Sequence, residues 1–128
     1  MVMWGMRDLE GWIDWLRLEQ PLVIVEGFKD KVSLRKLGLT RVTSLKGKPL
    51  YKVVEYVASV AFNCVILTDL DAEGKKIYGE LKQGLQRHKV KVDDRFRQFL
   101  FKETELRQIE GLYTYVSRQL HFGSRYSE

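Results

Sequence analysis

Pro21-Leu22-Val23-Ile24-Val25-Glu26-Gly27 is an unbroken apolar run that ends abruptly in a carboxylate and a glycine. A strand with one face in water alternates apolar and polar side chains, whereas a run without a polar break is covered on both faces, as parallel sheets are. Cys64-Val65-Ile66-Leu67-Thr68 is a second run of that kind, and it too leads straight into acid, Asp69-Leu70-Asp71-Ala72-Glu73-Gly74. Two buried strands with carboxylates at their exits set the frame for the rest of the chain.

Outward from these strands, the spacing predicts strands alternating with helices. Leu9, Trp12, Ile13 and Leu16 recur at helical spacing until Pro21 closes the pattern, so an amphipathic helix precedes the first strand. Its tryptophans are expected to pack on a sheet face. A helix over about Asp30 to Leu37 stops at Gly38, and Thr40 to Leu45 reads as a shorter strand. After the loop Lys46-Gly47-Lys48-Pro49, the positions Leu50, Val53, Val54, Val57 and Val60 mark a helix, with a strand as the alternative for so β-branched a segment. A long helix follows Gly74 to about Arg87, with Ile77, Leu81 and Leu85 inward. Val90 to Val92 suits a strand, Asp94 to Phe101 a helical turn or two, and Leu112 to Leu120 a final helix. Leu106 to Ile109 fits either a strand or a helix start. The fold class is therefore α/β, a mainly parallel sheet of about four strands with right-handed crossovers and helices on both faces.

The chain has 128 residues, enough for one domain and one core. Its one cysteine, Cys64, makes neither an intramolecular disulfide nor a zinc knuckle, and its apolar setting predicts a buried thiol. No stretch approaches the roughly 18 apolar residues of a membrane span. Asp8, Glu10 and Asp14 stand where a signal peptide is apolar, so a soluble, cytoplasmic protein without membrane partners is expected. With 22 Lys and Arg against 17 Asp and Glu, the formal charge of +5 favours polyanionic partners.

Ligands of open parallel sheets bind outside the carboxyl ends of the strands. Glu26 and Asp69 each follow a strand directly, with Asp71 two residues on, so three carboxylates are expected in one small volume. Like charges about 4 Å apart cost about 4 kcal/mol per pair at an effective dielectric near 20, so the cluster calls for a cation or a shared proton. Magnesium suits it, as a hard ion that takes carboxylate oxygens and leaves positions for substrate phosphate. Gly27 and Gly74 allow close approach of backbone and phosphate. The structural alternative is that Asp71 only caps the following helix.

Val25-Glu26-Gly27-Phe28-Lys29-Asp30 resembles the first motif of the Toprim family, and Thr68-Asp69-Leu70-Asp71-Ala72-Glu73-Gly74 the second. Ser44-Leu45-Lys46-Gly47 is similar to the loop after the second strand in the ribonuclease M5 and bacterial primase versions. The likeness spans roughly Leu22 to Val92 and is nearest to short stand-alone Toprim proteins, including an archaeal group of about this size. It implies a Toprim core over residues 21–93, the first helix within residues 1–20 packed on it, and a helical extension over residues 94–128. It implies also that Glu26 is a metal ligand or general acid/base, that Asp69 and Asp71 hold one or two Mg2+ ions, for which Mn2+ substitutes, and that Asp30 supports or caps. Ile77-Tyr78 stands where the ribonuclease M5 pattern carries an arginine, which sets this chain apart from that substrate. A HAD phosphatase has its Asp-x-Asp after the first strand, and a response-regulator receiver needs an earlier acidic pair; neither pattern is met.

Lys29, Lys46, Lys48, Lys75, Lys76, Arg95 and Arg97 fall where they are expected to rim the carboxylates and meet phosphates. His88 and His121 are read as ordinary, and Tyr113 and Tyr115 as packing of the last helix. The leading expectation is a metal-dependent nuclease on structured RNA or DNA. The alternatives are a nucleic-acid-binding module whose chemistry comes from a protein partner, and a primase-like nucleotidyltransferase.

Overall fold

A computed structural model of the chain describes residues 8–120, and His121 lies outside them. Helix α1 (Leu9–Glu19) starts where the Asp8 carboxylate accepts the Gly11 N–H at 2.8 Å, satisfying one of the donors a helix start leaves open. It lays Trp12, Ile13 and Leu16 onto the sheet. The Trp12 indole N–H donates to the Phe96 carbonyl at 2.9 Å, so this large side chain is fully buried with its one polar atom satisfied.

Strands β1 (Val23–Val25), β2 (Val42–Ser44), β3 (Asn63–Leu67) and β4 (Lys91–Val92) form one parallel sheet in the order β2-β1-β3-β4. Helix α2 (Phe28–Lys36) links β1 to β2, α3 (Leu50–Val60) links β2 to β3, and α4 (Ala72–Arg87) links β3 to β4. Helix α5 (Arg95–Glu103), a 3-10 turn at Ile109–Gly111 and α6 (Leu112–Leu120) complete the described chain. Among the described residues no helix is long and apolar enough to cross a membrane.

Successive side chains of a strand point to opposite faces, which explains why β1 and β3 are apolar throughout. Val23, Val25, Val65 and Leu67 enter a core with α1, α2, α5 and α6, while Ile24, Cys64 and Ile66 enter a second core with α3 and α4. Each such side chain contributes about 1.5–3 kcal/mol by leaving water. Burial also pushes the Cys64 thiol up to about 12, so it acts as a small apolar group.

Several elements differ in extent from the sequence expectation. Helix α2 begins at Phe28 because Gly27, in extended conformation, serves as its cap and Asp30 closes the first turn by accepting the Gly27 N–H. Strand β2 is short because the Thr40 N–H and hydroxyl turn instead to the Gln20 side-chain oxygen, at 2.9 and 3.0 Å. Leu50–Val60 is a helix, but Val60, in its last turn, is 47% exposed and lies off the core. Of Leu106 to Ile109, only Ile109 enters a helical turn, and the rest is loop.

The strand order also determines where a ligand is accommodated. From β1 the chain leaves to one side for β2, then returns across β1 to β3, so the direction of winding reverses between β1 and β3. The helix after β1 packs on one face and the helix after β3 on the other. Their connections diverge and leave a crevice at the carboxyl ends of β1 and β3.

Candidate functional site

Glu26 leaves β1 and Asp69 leaves β3 one residue after Thr68, so both stand in that crevice. They are directly tied: the Asp69 N–H donates to Glu26 Oε2 at 2.8 Å across 43 residues of sequence. Asp71 stands at the start of α4, where its Oδ1 accepts the Gly74 N–H at 2.6 Å. It is therefore a helix cap, near enough for its charge to act on Glu26 and Asp69. Asp30 is buried, with Oδ2 taking the Gly27 N–H at 2.9 Å.

The second motif is held by contacts that the strand pattern alone does not disclose. The buried Thr68 hydroxyl donates to the Gly74 carbonyl at 2.9 Å, folding the start of α4 back over the strand exit. A Cβ on Gly74 would lie 2.1 Å from the Asp69 carbonyl oxygen, so the closeness of that fold-back demands glycine. Gly27 has no such constraint, since its backbone is extended and a Cβ would meet only the Asp30 carboxylate at 3.7 Å.

Helix α5 and the loop after it cover the exit of β3. Arg97 donates from Nε to the Thr68 carbonyl at 3.0 Å and from Nη2 to the Asp69 carbonyl at 2.8 Å. Its guanidinium rests near the rings of Tyr78, at 4.7 Å, and Phe101, at 5.2 Å. The Ile109 N–H donates to Asp69 Oδ1 at 2.9 Å, and the Leu70 N–H donates to the Arg107 carbonyl. The same turn brings Glu110 close enough to act on the charges of Asp69 and Asp30. Thr68, Ile109 and Glu110 were not singled out by sequence reasoning. Only Thr68 carries a signal, as a polar residue completing a buried run; the 40 residues between Asp69 and Ile109 carry none.

Burial first, and then the neighbouring charges of Asp69, Asp71 and Asp30, raise the Glu26 pKa, although the bond from the Asp69 N–H works the other way. Asp69 is raised by burial and by Asp71 and Glu110, against the lowering effects of the Ile109 N–H and Arg97. Asp30 is raised by burial and by Asp69 and Glu110, against the bond from Gly27. The crevice thus holds more negative charge than its own cations relieve.

Glu26, Asp69 and Asp71 each commit one oxygen to a backbone N–H and keep the other without a hydrogen-bond partner among the described residues. Those oxygens are hard donors suited to a divalent cation. Among the described residues no three His, Cys, Asp or Glu side chains stand together as a ready-made cage. Magnesium does not require one, because it is commonly held by one or two carboxylates and completed by water and phosphate. The residues present fit an ion of that kind.

The basic residues expected around the site divide into two groups. Lys29 in the first turn of α2, Lys75 and Lys76 early in α4, and Lys46 and Lys48 after β2 are exposed on connections that leave the carboxyl ends of their strands. Lys48 Nζ donates to the Ser44 carbonyl at 3.2 Å. Arg97 is turned inward onto the β3 exit. Arg95 pairs with Asp93 at 2.6 Å and lines a cavity of about 460 Å3 with Pro21 and Asn63, at the amino ends of β1 and β3. The structure does not bring Arg95 to the carboxylate edge. His88 caps the end of α4, with Nδ1 3.1 Å from the Gly84 carbonyl. Tyr113 packs under Lys36, whereas Tyr115 lines a groove of about 520 Å3 beside Asp71 and Glu110.

A parallel α/β sheet whose winding reverses between two strands, with a Glu at the exit of one and an Asp-x-Asp at the exit of the other, defines the class: a doubly wound α/β domain with an acidic strand edge. Residues 21–94 match the Toprim domain, and the chain belongs to the Toprim family. It is 38% identical over 110 residues to the UPF0292 protein of Thermococcus sibiricus, covering 84% of this chain and 86% of that one. Against the UPF0292 protein of Pyrococcus abyssi the identity is 37% over 120 residues, covering 91% and 90%. Among solved structures, a putative protein from Aquifex aeolicus superposes with a TM-score of 0.75 at 33% identity, over 81% of this chain and 97% of that one. The likeness to short, stand-alone Toprim proteins thus extends well beyond the two motifs, and it places the chain with metal-dependent, nucleic-acid-related proteins.

Proposed function

We propose that this chain is a Mg2+-dependent Toprim protein that acts on nucleic-acid phosphodiesters, as a nuclease on structured RNA or DNA. The observation that supports it is the bond from the Asp69 N–H to Glu26 Oε2, which joins the two strand exits; with the Ile109 N–H on Asp69 Oδ1, one oxygen of each carboxylate has no hydrogen-bond partner among the described residues. Glu26, Asp69 and Asp71 are the residues that would hold the ion. When bound, magnesium supplies neutralisation of the scissile phosphate and a more acidic attacking water. Glu26 has one oxygen left for either of two duties, holding the ion or accepting and returning a proton, and its raised pKa favours the second. Asp30 and Arg97 position the two exits, and Gly27 leaves room for phosphate. Lys29, Lys46, Lys48, Lys75 and Lys76 offset phosphate charge around the edge. A cytoplasmic setting accords with the reduced, buried thiol of Cys64.

The test is cleavage of labelled structured RNA and DNA with Mg2+, with Mn2+ and with EDTA, by the wild-type chain and by Glu26→Gln. Cleavage that requires metal and is lost by at least a hundredfold in the variant is expected. Equal cleavage by both proteins defeats the reading. The exposed lysines on the connections after the strands, Lys29, Lys46, Lys48, Lys75 and Lys76, fit a second reading as well, in which the chain holds metal and nucleic acid while a protein partner supplies the chemistry. Mg2+-dependent binding without cleavage under all these conditions selects it.

A further inference from the structure

A second basic surface lies on the flank of the sheet, away from the carboxylates. Among the described residues strand β2 is an edge strand, paired only with β1, and beside it runs an open groove of about 540 Å3 between α2 and α3. Lys31 and Arg35 of α2, Arg41 and Thr43 of the β2 segment, Lys48 of the following loop and Tyr56 of α3 line it. Among the described residues, four cations and no carboxylate line this space. Lys31, Arg35 and Arg41 have no side-chain hydrogen bond or ion pair among the described residues, in contrast to Lys82 and Arg95, which are neutralised by Asp94 and Asp93. Unrelieved positive charge of this density is what a polyanion satisfies. Tyr56 is 52% exposed, so its ring face is available beside the cations.

The groove also has a direction. Arg41 precedes β2 and Lys48 follows it, so the cations extend along an edge of about 10 Å, at about 3.3 Å per strand residue, toward the carboxyl end where Glu26 stands. We propose that this groove holds a single strand of nucleic acid, with its phosphates on Arg35, Arg41, Lys31 and Lys48 and an unpaired base stacked on Tyr56, leading toward the carboxylate crevice. A row of cations with an interleaved aromatic suits an unpaired strand, whose bases are free to stack, and is poorly used by a duplex. The proposal deepens the reading of the site as one that acts on nucleic acid, but its binding step requires neither metal nor catalysis.

The experiment measures anisotropy of a fluorescent single-stranded RNA and DNA oligonucleotide in EDTA, so that loss of cleavage cannot be mistaken for loss of binding. Arg35→Glu with Arg41→Glu is expected to weaken binding at least tenfold and to reduce the log–log salt slope by about 1.4, at about 0.7 for each single-strand phosphate contact. Arg87→Glu with Arg118→Glu, exposed cations on α4 and α6, changes the net charge equally and is expected to alter affinity less than twofold. Tyr56→Ala is expected to lose several-fold without changing the slope. The milder pair Arg35→Gln with Arg41→Gln, with circular dichroism on every variant, separates binding from folding. Equal losses for both charge-reversed pairs, wild-type affinity in the groove pair, or equal competition by a duplex would each overturn the proposal. An acidic extended peptide is the other ligand an open strand edge accepts; if poly-glutamate binds the groove and oligonucleotides do not, the proposal is likewise overturned.

Discussion

The exits of β1 and β3 are chemically alike and mechanically different. Each ends in acid followed by glycine, yet Gly74 is pinned against the Asp69 backbone with a Cβ position 2.1 Å from the carbonyl oxygen, while a Cβ on Gly27 would meet only the Asp30 carboxylate at an ordinary 3.7 Å. The first glycine is required by the fold, because Thr68 and Asp71 clamp the start of α4 onto the strand. The second caps α2 and would admit a Cβ at ordinary contact distance, so no steric constraint among the described residues demands glycine there. Similar Gly-bearing exits can therefore differ in how far the fold dictates the residue, and only the contacts tell them apart.

The sharpest way to break that comparison is to add one methyl group at each position. Gly74→Ala is expected to cost about 3 kcal/mol or more in urea unfolding, since backbone must move to admit it. A loss under about 1 kcal/mol would show that the fold-back yields easily and that the contrast is unfounded. Thr68→Val, which removes the clamp but keeps the shape, is expected to cost about 1–2 kcal/mol by leaving the Gly74 carbonyl without its buried partner.

Charge offers a second contrast. Glu26 and Asp69 are raised from ordinary values of 4.5 and 3.8, so their ionisation costs more in the folded chain than in the unfolded one. Below those values both states are protonated and no penalty exists; as pH climbs through the raised folded values the penalty develops and stability falls. In EDTA at neutral pH, Glu26→Gln is therefore expected to melt higher than the wild type, with the gap closing below about pH 4.5. Adding Mg2+ is expected to raise the wild-type melting temperature and to do so less in the variant. Asp93 behaves oppositely: burial works against its charge, but the bonds from Arg95 outweigh it and lower the pKa from 3.8. Asp93→Asn is expected to melt lower than the wild type near neutrality, and the difference disappears as pH falls through that lowered value. Identical pH profiles for Glu26→Gln and Asp93→Asn would erase the distinction.

The smallest expected effect on stability is that of Gly27→Ala, under about 1 kcal/mol, because its extended backbone suits any residue and alanine is only a poorer helix cap than glycine. Its effect on metal-dependent turnover is expected to be much larger than its effect on melting. If turnover and stability are both unchanged, Gly27 serves neither folding nor ligand approach.

What could be read from the chain alone was what repeats along it. Unbroken apolar runs announced β1 and β3, helical spacing announced α1 and α4, and the acids at the strand exits announced one shared edge. These signals are local: period, polarity and neighbouring residues. The depth of the Asp69 site was not legible, because Ile109 and Glu110 reach it from the turn after α5, where Leu106 to Ile109 fits either a strand or a helix start, and the helical pattern around Arg97 does not say which way its side chain turns. Arg95, two residues from Arg97, appeared equivalent in the sequence, yet one side chain turns to the β3 exit and the other to Asp93.

Sequence by itself determined the class of fold, the two core-facing strands and the acidic character of their exits, since burial of alternating side chains on two faces leaves no other use for such runs. Tertiary structure alone decided that the winding reverses between β1 and β3, that the Asp69 N–H closes on Glu26, and which cations relieve carboxylates and which, among the described residues, stand along β2 without one. Those outcomes depend on distances between residues tens of positions apart, set by how helices pack on each face, and no local pattern encodes them.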